Sequence, residues 1–209
     1  MVGRIIESDA CVAEGAAWLA AREPRFAHLL DRVGPLPLRR RPDGFAALLD
    51  AILGQQVSTA SAEAMRVRMD AAGLLREAVV AEASEQQLRA CGLSRQKIRY
   101  AQVLARAGLD YGALRRRPDE EVIATLTALP GIGRWTAEIY AMISLGRADV
   151  FAPGDLALQE AARMLFDLSE RPSERGLRAM AEAWSPWRAV AARALWAYYR
   201  LERKREGIR

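Results

Sequence analysis

The residue types able to do chemistry in this chain are concentrated between positions 129 and 155. Leu129-Pro130-Gly131-Ile132-Gly133-Arg134-Trp135-Thr136-Ala137 is followed, after an apolar helical stretch, by Val150-Phe151-Ala152-Pro153-Gly154-Asp155. Val122, Ile123, Leu126 and Leu129 recur at helical spacing before the first segment, and Trp135, Ile139, Met142 and Ile143 recur within and after it. Pro130 to Gly133 therefore reads as a tight turn between two helices. Glycines at 131 and 133 let the backbone approach a ligand closely, and the amides opening the second helix point outward at the positive end of its dipole. That is an anion site without side-chain charge, suited to a DNA phosphate because it grips backbone irrespective of base sequence. The same Pro-Gly-x-Gly would also serve simply to turn one helix into the next. Asp155 precedes Leu156, Leu158, Ala161, Met164 and Leu165. It reads both as a helix N-cap and as an anion in the favourable field of a helix N-terminus.

Leu-Pro-Gly-Ile-Gly-Arg-x-Thr-Ala followed, after a helix and a loop, by an Asp resembles the helix-hairpin-helix DNA glycosylase superfamily. Three segments are similar to its AlkA-type branch, 3-methyladenine DNA glycosylase II: Gly133 to Ala137, Val150-Phe151-x-Pro-x-Asp155, and Trp184-Ser185-Pro186-Trp187-Arg188 through Leu195-Trp196. Upstream, Phe45 to Ser58 extends the resemblance through Ile52-Leu53-Gly54-Gln55-Gln56-Val57-Ser58. It covers most of the chain. The resemblance implies a two-lobed helical fold acting on damaged bases in double-stranded DNA, with Asp155 as the catalytic carboxylate. Cleavage of an N-glycosidic bond builds oxocarbenium character on the deoxyribose, which a nearby anion stabilises while it orients or deprotonates the attacking water. Gly131, Ile132, Gly133, Arg134 and Thr136 would bind the DNA phosphate. Backbone carbonyls of Thr127, Leu129 and Gly131 match positions that hold a monovalent cation, Na+ or K+, in relatives; no cofactor is otherwise required.

An enzyme acting on a base inside a duplex must flip it out and fill the gap. By resemblance that wedge is in the Gly54-Gln55-Gln56 loop, although the AlkA-type pattern often has an apolar residue where Gln56 stands; two ordinary polar loop residues are an equal reading. Relatives that also cut the strand carry a Schiff-base lysine between the positions of Arg134 and Thr136. Here Trp135 stands there, and Lys97 and Lys204, the two lysines, lie outside the hairpin. The expectation is a glycosylase without lyase activity that leaves an abasic site.

Methylation at purine N3 or N7 makes the base cationic, a good leaving group that aromatic faces recognise by cation–π attraction. By resemblance Trp135 and Trp196 fall on aromatic pocket positions, with Tyr140 a further candidate. Trp187, Val190, Ala191, Ala194, Leu195, Tyr198 and Leu201 form the apolar stripe of their helix, and Trp196 points nearly opposite. Trp135 shares a stripe with Ile139, Met142 and Ile143, so core and pocket roles are both open. Trp184 and Trp187 are assigned to the core, with Ser185 as an N-cap and Pro186 at a first helical position. No second carboxylate stands out as a general acid, although Glu138 is near in sequence.

The elements that must position these residues are helical. Ala is the commonest of the 209 residues and alternating β-branched runs are absent, which indicates an all-α protein. Helices are expected near 10–21, 24–32, 43–53, 58–71, 84–90, 94–108, 119–128, 133–145, 155–168, 174–184 and 186–205. A linker at Pro35, Pro37 and Arg39-Arg40-Arg41-Pro42 suggests an N-terminal segment 1–42, a lobe 43–120 with the Gln55-Gln56 loop, and a region 121–209 with hairpin, Asp155 and C-terminal helices. The N-terminal sheet domain of longer AlkA-type members has no room in those first 42 residues. Net charge +5 favours an anionic partner. The runs Arg39 to Arg41 and Arg115 to Arg117 read as solvated surface or as phosphate contacts.

No stretch approaches the roughly 20 apolar residues of a membrane span and no signal peptide opens the chain, so a cytoplasmic, nucleoid-associated bacterial monomer without membrane contact is expected. Cys11 and Cys91 are too few for a four-cysteine iron-sulfur cluster, and with His28 the sole histidine a zinc site or Ser-His triad is disfavoured. Two alternatives to an alkylpurine glycosylase stay open: a non-catalytic helix-hairpin-helix DNA-binding module, and a glycosylase for deaminated or mismatched bases.

Overall fold

The computed structural model describes the backbone of residues 2–205 and the side chains of residues 2–203. It is all-α, as expected; among the described residues there is no β-strand, only an isolated antiparallel bridge between Ile5 and Arg147. In chain order the helices are α1 (Asp9–Arg22), α2 (Pro24–Val33), α3 (Phe45–Leu53), α4 (Thr59–Ala71), α5 (Glu77–Glu82), α6 (Glu85–Ala90), α7 (Arg95–Arg106), α8 (Tyr111–Arg116), α9 (Asp119–Thr127), α10 (Arg134–Ile143), α11 (Leu156–Leu165), α12 (Glu174–Ala181) and α13 (Arg188–Arg205). Ser8, Ser58, Ser84, Ser94, Asp110 and Ser173 each accept an amide from the first turn of the helix that follows. Such caps contribute about 1 kcal/mol apiece and explain why these helices begin where they do. Among the described residues no helix is long and apolar enough to cross a membrane.

Residues 41–140 form one unit. Its centre is α3, which buries Phe45, Leu48, Leu49, Ile52 and Leu53 against α4 and α7, while α7 packs in turn on α5 and α6. Residues 2–40 and 141–205 form the other. There α13 is central: residues 189 to 195 are each 0% exposed, on all sides of the helix, with α1, α2 and α11 packed against it. A Cβ on Gly15 of α1 would lie 2.7 Å from Trp187 Cε3 and from Val190 Cγ2, so the missing side chain sets how closely α1 meets that helix. Trp184 is packed edge-on against Phe26 and Phe151, each with centroids 5.4 Å apart, and stacks on Phe166 at 6.0 Å. Trp184 and Trp187 are both buried, as expected.

This division does not follow the three consecutive regions expected. The apolar face of the N-terminal helices is covered by α13, remote in sequence, so residues 2–40 are no segment of their own; the hairpin falls with residues 41–140 and Asp155 with the other unit. Two six-residue helices, α5 and α8, were not expected, being too short for a periodic stripe to register. The helix expected at 174–184 ends at Ala181 and continues as a 3-10 turn over Glu182–Trp184, and that expected at 186–205 starts at Arg188. Ser185 does not cap it. Its hydroxyl instead donates to Asp149 Oδ2 at 2.8 Å, and Arg188 holds the same carboxylate through Nε and Nη2 at 2.8 and 2.9 Å.

Candidate functional site

The turn between α9 and α10 has the tightness the glycines demand. Gly131 sits at φ +94°, and a Cβ there would come within 2.8 Å of Tyr100 Cβ and collide with the Tyr100 ring, so no other residue fits. Gly133 is exposed, with no atom within 4 Å of where a Cβ would be, so its backbone is open to an incoming strand. Its carbonyl accepts Ala137 N at 3.1 Å, which starts the first turn of α10 and aims that turn's amides out of the helix end. Not every residue of the motif faces outward. Ile132 is buried and its amide donates to Leu129 O at 3.1 Å, which removes it from the phosphate-binding set. Thr136 is buried too, leaving it only backbone to offer, and Arg134 donates from Nε to the buried Glu138 Oε1 at 2.9 Å. That pairing also makes Glu138 a structural ion-pair partner within α10.

The Gly54-Gln55-Gln56 loop in the same unit is fixed from two sides. Lys97, buried on α7, donates its amine to Leu53 O at the end of α3, and burial pulls its pKa down. Gln55 Nε2 donates to Gly131 O at 2.7 Å, tying the loop to the hairpin. Gln56 is exposed with φ +55°, a left-handed conformation uncommon for a side-chain-bearing residue, and Val57 beside it is 40% exposed. Gln55 is thus a strut, and Gln56 and Val57 are the side chains presented outward. Among the carbonyls considered for a cation, Gly131 O carries the Gln55 amide and Leu129 O the Ile132 amide.

Trp135 is 47% exposed, which removes it from the core and leaves a large aromatic surface at the start of α10. Tyr140, by contrast, is buried, its hydroxyl accepting the amide of Gly44 at 2.9 Å just before α3; burial raises its pKa to about 12. It takes part in the packing of that unit.

In the other unit, Asp155 caps α11, Oδ1 accepting Ala157 N at 2.9 Å and Leu158 N at 3.1 Å. Trp196, half-buried on α13, donates Nε1 to the same oxygen at 3.4 Å. The helix start and the indole together fix the carboxylate's orientation. Leu156, next to it, is 62% exposed, an apolar surface flanking the acid. Arg39 is the residue sequence reasoning missed: its guanidinium carbon lies 5.2 Å from the Trp196 ring centroid. Its membership of an arginine run was the available signal, but that run said nothing about an aromatic partner. Arg115, from the second run, pairs with Asp43 through two 2.7 Å bonds.

Residues 49–188 match the profile of the HhH-GPD superfamily base excision DNA repair proteins. Over 198 residues the chain is 26% identical to the alkylbase DNA glycosidase-like protein mag2 of Schizosaccharomyces pombe, covering 89% of this chain and 93% of that one. Other curated relatives match over less of their own length, 42% and 50% in two cases. Among solved structures, the DNA-3-methyladenine glycosidase of Bacillus halodurans superposes with TM-score 0.81 at 30% identity, over 95% of this chain and 93% of that one. The 3-methyladenine DNA glycosylase of S. pombe, in complex with abasic DNA, superposes with TM-score 0.75 at 28% identity over 88% and 95%.

Proposed function

Because the chain belongs to the HhH-GPD superfamily of base excision DNA repair proteins, we propose that it is a DNA glycosylase that flips alkylated purines of the 3-methyladenine and 7-methylguanine type out of the duplex. It then hydrolyses their N-glycosidic bond. The observation that carries this reading is Asp155, held by two backbone amides and the Trp196 indole. A carboxylate so fixed is preorganised for the positive charge that develops on the deoxyribose as the bond breaks, and reorganisation at that moment is the cost it avoids. A non-catalytic DNA-binding module would need the hairpin and would use Asp155 only as a helix cap. Gly131, Gly133 and the first turn of α10 grip backbone phosphate, and Gln56 or Val57 fills the space the flipped base leaves. Trp196, which holds Asp155, offers an aromatic surface a base stacks on.

The reaction stops at the abasic site. Trp135 occupies the position of the strand-cutting lysine, and Lys97 is committed to Leu53 O. No step passes through a metal ion or cofactor. Release of methylated purine from a duplex carrying 7-methylguanine, scored by strand breakage on alkali treatment, tests the reading. Alkylated duplexes that stay alkali-resistant after prolonged incubation would overturn it.

A further inference from the structure

We propose that Lys97 and Gln55 are positioning residues for base flipping, which join the wedge loop and the phosphate-gripping hairpin into one bracket on α7. The inference rests on the reading above, in which Gln56 or Val57 enters the space left by the flipped base.

Two neighbours on one face of α7 carry the bracket. Lys97 and Tyr100 are three residues apart, so their side chains leave the helix side by side. Lys97 is buried and gives its amine to the carbonyl of Leu53, the last residue of α3 before the loop. Tyr100 lies so close to Gly131 that a Cβ on that glycine would be 2.8 Å from Tyr100 Cβ. The phenol is itself held, its hydroxyl accepting Gln96 Nε2 at 2.8 Å. One helical turn thus supports both the root of the loop and the apex of the hairpin. Gln55 closes the third side, its side-chain amide donating to Gly131 O at 2.7 Å.

The loop's own backbone bonds run back to α3, from Gly54 N to Asp50 O at 3.0 Å and from Gln55 N to Ile52 O at 3.3 Å. Within that frame Gln56 keeps φ +55°, a conformation that costs a side-chain-bearing residue free energy and persists where the surroundings over-determine it. Extruding a base costs stacking and pairing energy, and a wedge offsets that cost only while its base does not yield. A loop hung from α3 alone would retreat under the load. The bracket passes the load to the hairpin, which is anchored on the strand's phosphates, so grip and wedge act at one fixed spacing. A buried amine is also a costly way to fill space that an apolar side chain could occupy. A fixed root for the loop is what the amine adds.

The test compares single-turnover release of 7-methylguanine from two duplexes, one with cytosine opposite the lesion and one with no base opposite it, where extrusion breaks no base pair. Gln55→Met and Lys97→Met remove the two donors at nearly constant volume. Each is expected to lower the ratio of paired to unpaired release about fivefold, roughly the worth of one hydrogen bond. The fluorescence of 2-aminopurine beside the lesion should report correspondingly less unstacking. Lys97→Arg, which keeps a charged donor, should restore the ratio at least in part. Gln55 is half-buried and its variant should melt with wild type, so Gln55→Met decides the matter even where Lys97→Met does not fold. An unchanged ratio in Gln55→Met would overturn the proposal, because a merely structural role slows both duplexes alike, and would leave the glycosylase reading standing. A wild type that releases the base from neither duplex would overturn both.

Discussion

Trp196 Nε1 and the amides of Ala157 and Leu158 converge on one oxygen of Asp155, at 3.4, 2.9 and 3.1 Å. The acid is therefore part of a helix cap and of an interhelical contact between α11 and α13 at once. Capping and chemistry are separable by substitution, because an asparagine keeps the side-chain oxygen that accepts the amides and loses the charge.

Asp155→Asn should accordingly leave stability within about 1 kcal/mol of wild type, since Asn caps as well as Asp. Base release should fall by a factor on the order of a hundred or more, the usual cost of removing one preorganised electrostatic group. Duplex affinity should barely change. Thermal melting, binding titration and single-turnover kinetics on the same preparation check all three, and undiminished excision would remove Asp155 from the reaction.

The two hairpin glycines should respond oppositely. At Gly131 any side chain meets both the left-handed backbone and the Tyr100 ring, so Gly131→Ala should destabilise by about 1–3 kcal/mol. Gly133→Asp meets open space and should leave the melting temperature nearly unchanged. It puts negative charge where phosphate approaches, so affinity for damaged and undamaged duplexes alike should weaken roughly tenfold or more, the worth of one charge-assisted bond. A loss confined to damaged DNA would relocate the hairpin's role to the base pocket.

Borohydride added during turnover should trap no covalent protein–DNA adduct, and the product strand should break only in alkali. The amine of Lys97 is turned to Leu53 O, and burial is what lowers its pKa. An adduct that disappears in Lys97→Arg would show that this amine reaches the sugar after all.

Much of this was readable from the chain. The hairpin glycines, the capping position of Asp155 and the buried Trp184 and Trp187 all follow from local rules of turn geometry, helix ends and helical periodicity. Trp196 was marked by lying off its helix's apolar stripe. What was not readable depends on residues distant in sequence. Nothing near Gln55 announces that its amide reaches Gly131, nothing near Arg39 announces Trp196, and nothing near Tyr140 announces that its hydroxyl accepts the Gly44 amide. Stripe membership left Trp135 open between core and pocket, because periodicity gives the direction of a side chain and says nothing about what covers it.

Gly15 has a consequence for anyone trying to improve this protein. A glycine in the middle of a helix is the first residue a stabilisation protocol replaces, because alanine gains about 0.5–1 kcal/mol in helix propensity. Here the added methyl would be driven to 2.7 Å from the Trp187 ring and from Val190, and Trp187 is itself enclosed. Overpacking of that kind costs about 1–3 kcal/mol, more than propensity returns. Gly15→Ala should therefore lower the melting temperature, and propensity-guided consensus design would select the wrong letter at this position.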